Sequence, residues 1–390
     1  MNQVSAPADR SVSEIRKEVR AFVSREMSRE QAREWDATES SPNQIVPRLA
    51  QLGLTGLTVP REYGGTGRNI PGALAVIEEL SKRSLAAAVP YLMCACYAGV
   101  NILECGNEEQ KGYFLPKVPR GEVLFSFGLT EPESGSDLAG ISTVARRNGE
   151  RIVVSGRKQF INGPNMANYI YTLVRSGSPD QRYKNLSLLL IPTDEKGVRI
   201  ERVQSIGMRG GAALCNVIFD EVQLSARNIV GGEQMWDKGW QMLVGPGLDI
   251  EKLEVAAMAL GIAEAALEDA WSYSEQRVQF GRSISAFQST RHLLVDVRTR
   301  IFACRLMLEC AAELAQNRQP CGVESSMAKL FICEEAKSAV LQCQSVLGAY
   351  GCIAGSDMER YVRDIQILPL VGGSSAIQRN NIAKQLRLRQ

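Results

Sequence analysis

Glu251 opens a long helical stretch in Leu248-Asp249-Ile250-Glu251-Lys252-Leu253, while a second place where an acid could serve, Val371-Gly372-Gly373-Ser374-Ser375-Ala376-Ile377-Gln378, offers only glycine. One carboxylate aimed at one carbon suffices to take a proton beside a carbonyl, provided a hydride acceptor lies on the other face. The position also has a plainer reading. Asp249 caps the helix start, and an acid in the first turn favours the positive end of the helix dipole.

Three other segments carry chemistry-bearing groups. Phe127-Gly128-Leu129-Thr130-Glu131-Pro132-Glu133-Ser134-Gly135-Ser136-Asp137 leaves a strand and collects small residues and hydroxyls. Such a loop exposes N–H and O–H groups that grip a polar ring edge or a phosphate. Lys158-Gln159-Phe160-Ile161-Asn162-Gly163 ends a strand with an aromatic beside an amide, and the two segments together suit one wall of a flat heterocycle site. Gln276-Arg277-Val278-Gln279-Phe280-Gly281-Arg282, followed by Gln288, interrupts a long helix and presents Arg277 as a pyrophosphate clamp or as a surface arginine at a helix corner. No G-x-G-x-x-G motif follows a strand, so a Rossmann dinucleotide site is not supported.

The elements that position these groups fall into three blocks. Apolar residues recur at helical spacing over 12–118, as in Ile15, Val19, Phe22 and Val23. Over 123–230 the period shortens to that of strands, read as antiparallel, with Arg147-Asn148-Gly149-Glu150 as a type I′ hairpin turn. Long helical patterns return from Trp236, at about 239–275, 287–317 and 324–350, then near 357–367 and to the end. The expected class is α+β: a helical domain at 1–122, a β domain at 123–230 and a helical bundle at 231–390.

Composition narrows the function. The 390 residues are 45% hydrophobic and 23% charged, which suits two or three packed units. The most apolar run, 85–100, contains Pro90 and falls short of the roughly 20 residues that cross a bilayer, so a buried helix is expected and no membrane partner. The polar first residues, Met1 to Ser11, lack the apolar stretch of a secretory signal, and a cytoplasmic location is expected. Ten cysteines without a C-x-x-C pair and a single histidine, His292, argue for reduced buried thiols and against a metal site. A net charge of +2, with Lys384, Arg387 and Arg389 near the end, lacks the dense basic face of a nucleic-acid binder.

Taken in order, 129–137, 160–162, Gly207-Met208-Arg209, Phe219-Asp220-Glu221-Val222, 277–288, Leu347-Gly348-Ala349-Tyr350-Gly351, Arg363-Asp364 and 374–379 resemble the acyl-CoA dehydrogenase family over nearly the whole chain. The resemblance implies a helical domain, a β domain and a four-helix bundle, non-covalent FAD, and a homotetramer whose neighbouring subunit completes each site. By this resemblance Phe127, Leu129, Thr130, Gly135, Ser136, Phe160, Ile161 and Asn162 border the flavin. Arg277, Phe280, Gln288, Ser345, Gly348 and Ala349 reach the FAD of the adjacent subunit, and Ser374, Ala376 and Gln378 its adenosine side. Ser136, Asp249, Lys252 and Gly373 fall at the substrate.

Many family members carry the catalytic glutamate where this chain has Gly372. A subset resembling isovaleryl-CoA dehydrogenase and the dehydrogenases of carrier-bound prolyl groups places it where Glu251 stands. Glu251 is therefore expected to take the α-proton of an acyl thioester, on CoA or an acyl carrier protein, with Glu254 as the fallback acid. The Gly372 N–H and a ribityl hydroxyl would polarise the thioester carbonyl, and an electron-transferring flavoprotein would reoxidise the cofactor. Other departures are Lys252 for a usual arginine, Asn162 for Thr or Ser, Ser345 for Gln, and Ala376 for an acid. Flavin monooxygenases and enoyl-thioester reductases on the same fold are the alternative, and a non-enzymatic binder is the third.

Overall fold

The computed structural model describes residues 10–40 and 42–388; the polar segment 1–9 and Arg389 lie outside the described residues. The first block is helical: α1 (Val12–Glu26), α2 (Arg29–Thr38), α3 (Ile45–Gln51), α4 (Ile70–Arg83) and α5 (Leu85–Leu92), then α6 (Asn101–Cys105) and α7 (Glu108–Phe114). Capping boxes start α1 at Ser11 and α2 at Ser28, each side-chain oxygen accepting a backbone N–H three residues on. Between α5 and α6 the chain widens into a π-helical segment, Met93–Val100. The apolar run is longer than its sequence suggested. It continues as one helical rod over Leu85–Cys105, 21 residues with mean hydropathy 1.6, and 89% of its most apolar window is buried inside the protein.

The second block is a seven-stranded sheet of β1 (Phe125–Gly128), β2 (Val144–Asn148), β3 (Arg151–Asn162), β4 (Tyr169–Arg175), β5 (Leu186–Pro192), β6 (Val198–Arg202) and β7 (Leu214–Ser225). It is mixed, which corrects the antiparallel expectation: β1 runs parallel to β4, and β2 touches β4 in parallel at its start. The β2–β3 hairpin pairs Asn148 with Arg151, so the turn residues are Gly149 and Glu150. Only Gly149 has positive φ, at 61°. The turn thus resembles type II′, one residue on from the expected register, because glycine alone enters that region without steric cost.

The third block holds α8 (Gly239–Leu243), α9 (Pro246–Gln276), a short hairpin of β8 (Val278–Gln279) and β9 (Arg282–Ser283), α10 (Gln288–Gln316), α11 (Gly322–Leu347), α12 (Asp357–Ile365) and α13 (Ser375–Gln385). Pro246 at the first turn of α9 costs no hydrogen bond there. The helix starts ahead of Asp249, which stands inside the first turn and is not its cap. One core spans the first and third blocks, where Ile77 and Leu80 of α4 meet Leu253 and Leu260 of α9 and Ile332 of α11. Almost every residue from Ile250 to Leu267 is buried. A helix apolar on all sides has no solvent face, so an acid there sits in a dry setting.

Candidate active site

Glu251 is 8% exposed and Glu254 is 2% exposed, three residues apart and on neighbouring positions of one face of α9. Burial pushes Glu251 up to about 7, against the pull of Lys252 and Lys329. Burial and the charge of Glu251 push Glu254 up to about 8, against a hydrogen bond with Cys96. Both acids therefore hold or share protons near neutral pH, where a base of matched strength works best.

Tyr97 links these acids to the sheet. The π-helical segment carries it, and extra-wide helical turns are frequent at functional sites. Its phenol is held far above the ordinary value by burial first and then by the charges of Glu251 and Glu254. Its ring stacks on Phe127 at 4.1 Å between centroids and 10° between planes. Phe127, expected at the flavin, is thus linked through Tyr97 to the side of α9 that carries Glu251.

The loop after β1 is fixed from beneath by a buried ion pair. Lys158 Nζ donates to Glu131 Oε1 at 2.8 Å and to the Leu129 carbonyl at 3.0 Å. The same carboxylate accepts the backbone N–H groups of Ser142 and Thr143. Gln159 N–H donates to the Thr130 carbonyl at 2.8 Å, and Ser126 Oγ to the Asn162 carbonyl at 2.5 Å. These bonds tie 127–131 to 158–162. A bulge in β3 between Lys158 and Ile161 turns Phe160 outward with φ 58° and leaves it half exposed, while Ile161 is buried. Gly135 and Ser136 stand at the exposed rim.

The glycine turn closes the other side. Gly372 and Gly373 have φ of 62° and 81°, and a Cβ on Gly372 would lie 3.1 Å from Val255 Cγ2. Val255 follows Glu251 by one turn of α9, so the turn rests against the helix face that carries the acids. Gln378 Nε2 donates to both glycine carbonyls at 2.9 Å, and Lys329 Nζ donates to the carbonyls of Gly373, at 2.8 Å, and Pro369. Gln378 is fully buried, and its Nε2 is spent on the turn while its Oε1 is enclosed without a partner among the described residues. Ser374 caps α13, while Ala376 is exposed. Lys252 Nζ binds Asp249 at 2.7 Å, and Ser325 Oγ reaches the same carboxylate.

The remaining expected cofactor residues gather elsewhere. Arg277 lies 5.9 Å over Tyr350, Phe280 packs edge-on to Phe287, and Gln288 contacts His292. Gly348 and Ala349 are exposed beside them, and Ser345 Oγ turns back onto the Gln342 carbonyl. A groove of about 460 Å³ adjoins the cluster, lined by Tyr273, Gln276 and Leu347 among others. Arg277 follows Glu251 by 26 residues of helix and cap, about 39 Å along the axis, so it cannot meet the chamber around Glu251 of its own chain. A second groove, about 600 Å³, lies between α1, α4, α9 and α10, where Arg305 and Lys82 pair with Glu78, Glu79 and Glu264. Most of its acids are paired in this way, whereas the Arg83 Nε, also in the lining, is enclosed without a partner among the described residues, and no charge of the groove acts on Glu251.

Sequence reading missed Lys329, Tyr97 and the Glu131–Lys158 pair. Lys329 left a signal, a lone cation one turn before Ile332 and Cys333 on the buried stripe of α11. Among the described residues no cluster of His, Cys, Asp and Glu suits a metal.

A buried acid whose carboxyl is raised toward neutrality, at the junction of a helical domain, a sheet and a helical bundle, suits an enzyme that removes or delivers a proton beside an activated carbon. Family models for acyl-CoA dehydrogenases match the chain in three consecutive pieces: the N-terminal domain over 10–122, the middle domain over 126–222 and the C-terminal domain over 237–387. An acyl-CoA dehydrogenase of Bacillus subtilis is 35% identical over 374 residues, 95% of this chain and 97% of that protein. The 3-(aryl)acrylate reductase of Clostridium sporogenes is 32% identical over 95% of this chain and 97% of its own. Butyryl-CoA dehydrogenase of Megasphaera elsdenii superposes with a TM-score of 0.91 at 27% identity, over 99% of each chain. The chain belongs to the acyl-CoA dehydrogenase family, whose oxidoreductases are FAD-dependent.

The residues present fit that cofactor. Phe127 and the outward Phe160 offer ring faces, and a Cβ on Gly135, Gly281 or Gly348 would meet nothing within 4 Å, so these backbones border open space. Phe280 is 93% exposed, an uncovered aromatic of the kind that a flat ring or a second chain covers.

Proposed function

We propose that this protein oxidises an acyl thioester to its α,β-unsaturated form, with Glu251 as the base. The observation that carries the reading is the dry carboxyl of Glu251, raised to about 7 and bordered by Tyr97 on Phe127 and by the glycine turn. When bound, FAD supplies the acceptor, at its N5, for the hydride that leaves the β-carbon. Glu251 takes the α-proton, and burial makes its carboxylate a stronger base than one in water. Gly372 keeps its backbone N–H while giving up the side chain, so it polarises the thioester carbonyl as charge builds on oxygen. Lys329 and Gln378 hold that turn in place by its carbonyls.

The wall made by 127–136 and 160–162 would hold the flavin ring. Arg277, Phe280, Gln288 and 348–349 would hold the FAD of a second copy, which the long axial separation from Glu251 supports. Phe280 and, on α10, Val295, Phe302 and Leu306 are exposed, and covering them supports a homotetramer. The thioester handle is CoA or an acyl carrier protein, and the electrons pass on to an electron-transferring flavoprotein. Ten unpaired thiols support the cytoplasm.

The test is anaerobic mixing of FAD-loaded protein with a panel of acyl-CoAs and acyl carrier proteins. At least one thioester is expected to bleach the flavin, with bleaching lost in Glu251→Gln. A flavin that stays yellow with every thioester defeats the reading, as does a Glu251→Gln variant that keeps its rate while Glu254→Gln loses it. A second reading is the reverse reaction, reduction of an enoyl thioester. Two acids that hold protons at neutral pH favour it, since one of them must then donate. Oxidation of dithionite-reduced enzyme by an enoyl-CoA separates the two directions.

A further inference from the structure

Glu254 takes no part in the proton transfer above, yet it is the more deeply buried of the two acids. One of its oxygens, Oε2, is fully enclosed and meets no donor among the described residues. The carboxyl's contact with protein is a hydrogen bond with Cys96. A buried polar oxygen left without a partner is costly, and each such atom in a folded protein calls for an explanation. Packing does not supply one, because Leu253, Val255 and Ala256 beside it are core residues for which an apolar neighbour would serve better.

Glu254 shares its surroundings with the base. Tyr97 feels both Glu251 and Glu254, and its ring stacks on Phe127. Cys96 and Tyr97 are adjacent on the π-helical segment, so one wall serves both acids. From Glu251 to Glu254 the helix advances about 4.5 Å, roughly the reach of four carbon–carbon bonds.

Resting on the acyl-thioester reading, we propose that Glu254 sets specificity for the acyl tail, by receiving on Oε2 an N–H or O–H group carried near the fifth carbon. A purely aliphatic tail leaves the oxygen orphaned. A hydroxyl satisfies it as a neutral donor. A protonated amine goes further: the acid, neutral when the site is empty, gives its proton to solvent and remains as the carboxylate partner of the cation. That exchange leaves the net charge beside Glu251 at zero, a neutral acid before binding and an ion pair after.

The experiment compares pentanoyl-CoA, 5-hydroxypentanoyl-CoA and 5-aminopentanoyl-CoA on FAD-loaded wild type, Glu254→Gln and Glu254→Leu. Two quantities are read: anaerobic flavin bleaching, and calorimetric binding of the matching unreactive thioethers. Wild type is expected to favour a donor-bearing tail at least tenfold in both. Glu254→Leu should invert the preference toward pentanoyl, and the isosteric Glu254→Gln should keep hydroxyl binding while losing the amine. Equal preference in wild type and Glu254→Leu overturns the proposal and leaves the dehydrogenase reading standing. Loss of bleaching with all three thioesters in Glu254→Leu, with thioether binding unchanged, also overturns it, since Glu254 would then be the base. If wild type discriminates among thioethers while no thioester bleaches it, tail recognition holds and the reaction assignment falls.

Discussion

Two buried glutamates in this protein have their carboxyls pushed in opposite directions. Glu131, under the loop after β1, sits against the ammonium of Lys158 and accepts N–H groups from Ser142 and Thr143. Burial pushes its carboxyl up, but these partners outweigh burial and hold it at about 2. Glu251, as deeply placed in α9, has Lys252 and Lys329 nearby, yet Lys252 binds Asp249 and Lys329 binds two backbone carbonyls. Its carboxyl stays at about 7. Burial alone therefore does not make a base. The protein surrounds the acid that holds a loop with donors and withholds hydrogen bonds from the acid proposed to move a proton.

The largest effect expected from this contrast is on turnover. Glu251→Gln removes the group that gains and loses a proton while keeping its volume, so flavin reduction by acyl thioester should fall by at least roughly 10²–10⁴-fold, with flavin content and melting temperature retained. Stopped-flow bleaching reads it, and a loss under tenfold would remove Glu251 from the role. At the opposite site the damage should be structural. Lys158→Ala strands the Glu131 carboxylate and is expected to cost roughly 3–5 kcal/mol in chemical denaturation. The pair Lys158→Met with Glu131→Gln should recover part of that loss.

The pH dependences of the two acids should have opposite sign. Glu131, ionised far below the unfolded value of about 4.3, adds stability that is complete above that value and is lost as pH falls toward 2. Glu251 is raised, so the folded state holds a proton that the unfolded chain has released. Stability should therefore decline as pH climbs from about 4.3 to about 7 and level off beyond, by on the order of 3 kcal/mol for this group. Activity should move the other way, with kcat/KM rising through about pH 7 as the base ionises. Lys329→Met removes a cation that favours the carboxylate, so the rising limb should shift to higher pH. A limb that stays put would show that the lysine acts only through the Pro369 and Gly373 carbonyls.

Much of this was legible in the chain. Periodicity placed the three blocks, since apolar spacing changes where helices give way to strands. The Glu251 position stood out because the alternative acid position holds glycine. What stayed hidden depends on contacts distant in sequence. Glu131 and Lys158 are 27 residues apart and meet only when β3 crosses beneath the loop. The π-helical turns of Met93–Val100 lie where Thr58 and Val118, distant in sequence, close on Gly99. The β2–β3 turn was displaced by one residue because Asn-Gly suits type I′ locally, whereas pairing along β2 and β3 fixed Gly149 at the first central position.

The smallest expected effect concerns the place where no acid stands. Gly372 adopts φ of 62°, a region in which a side chain is strained, and a Cβ there would press on Val255 Cγ2 at 3.1 Å. Gly372→Ala should cost about 1 kcal/mol in a thermal melt, from backbone strain and a small shift of one methyl group. The carbonyls held by Gln378 and Lys329 should keep the turn in place, so the pH of half-maximal activity should not move. Gly372→Glu puts an acid on the glycine turn that faces α9 and sharpens the contrast further. It incurs the same strain and adds a carboxyl beside Glu251, so it should raise the base's pKa through like charge. If Gly372→Glu in the Glu251→Gln background restored bleaching to within tenfold of wild type, the chamber would accept a base from either wall, and the dry setting, more than the helix that carries the acid, would be what makes the carboxylate reactive.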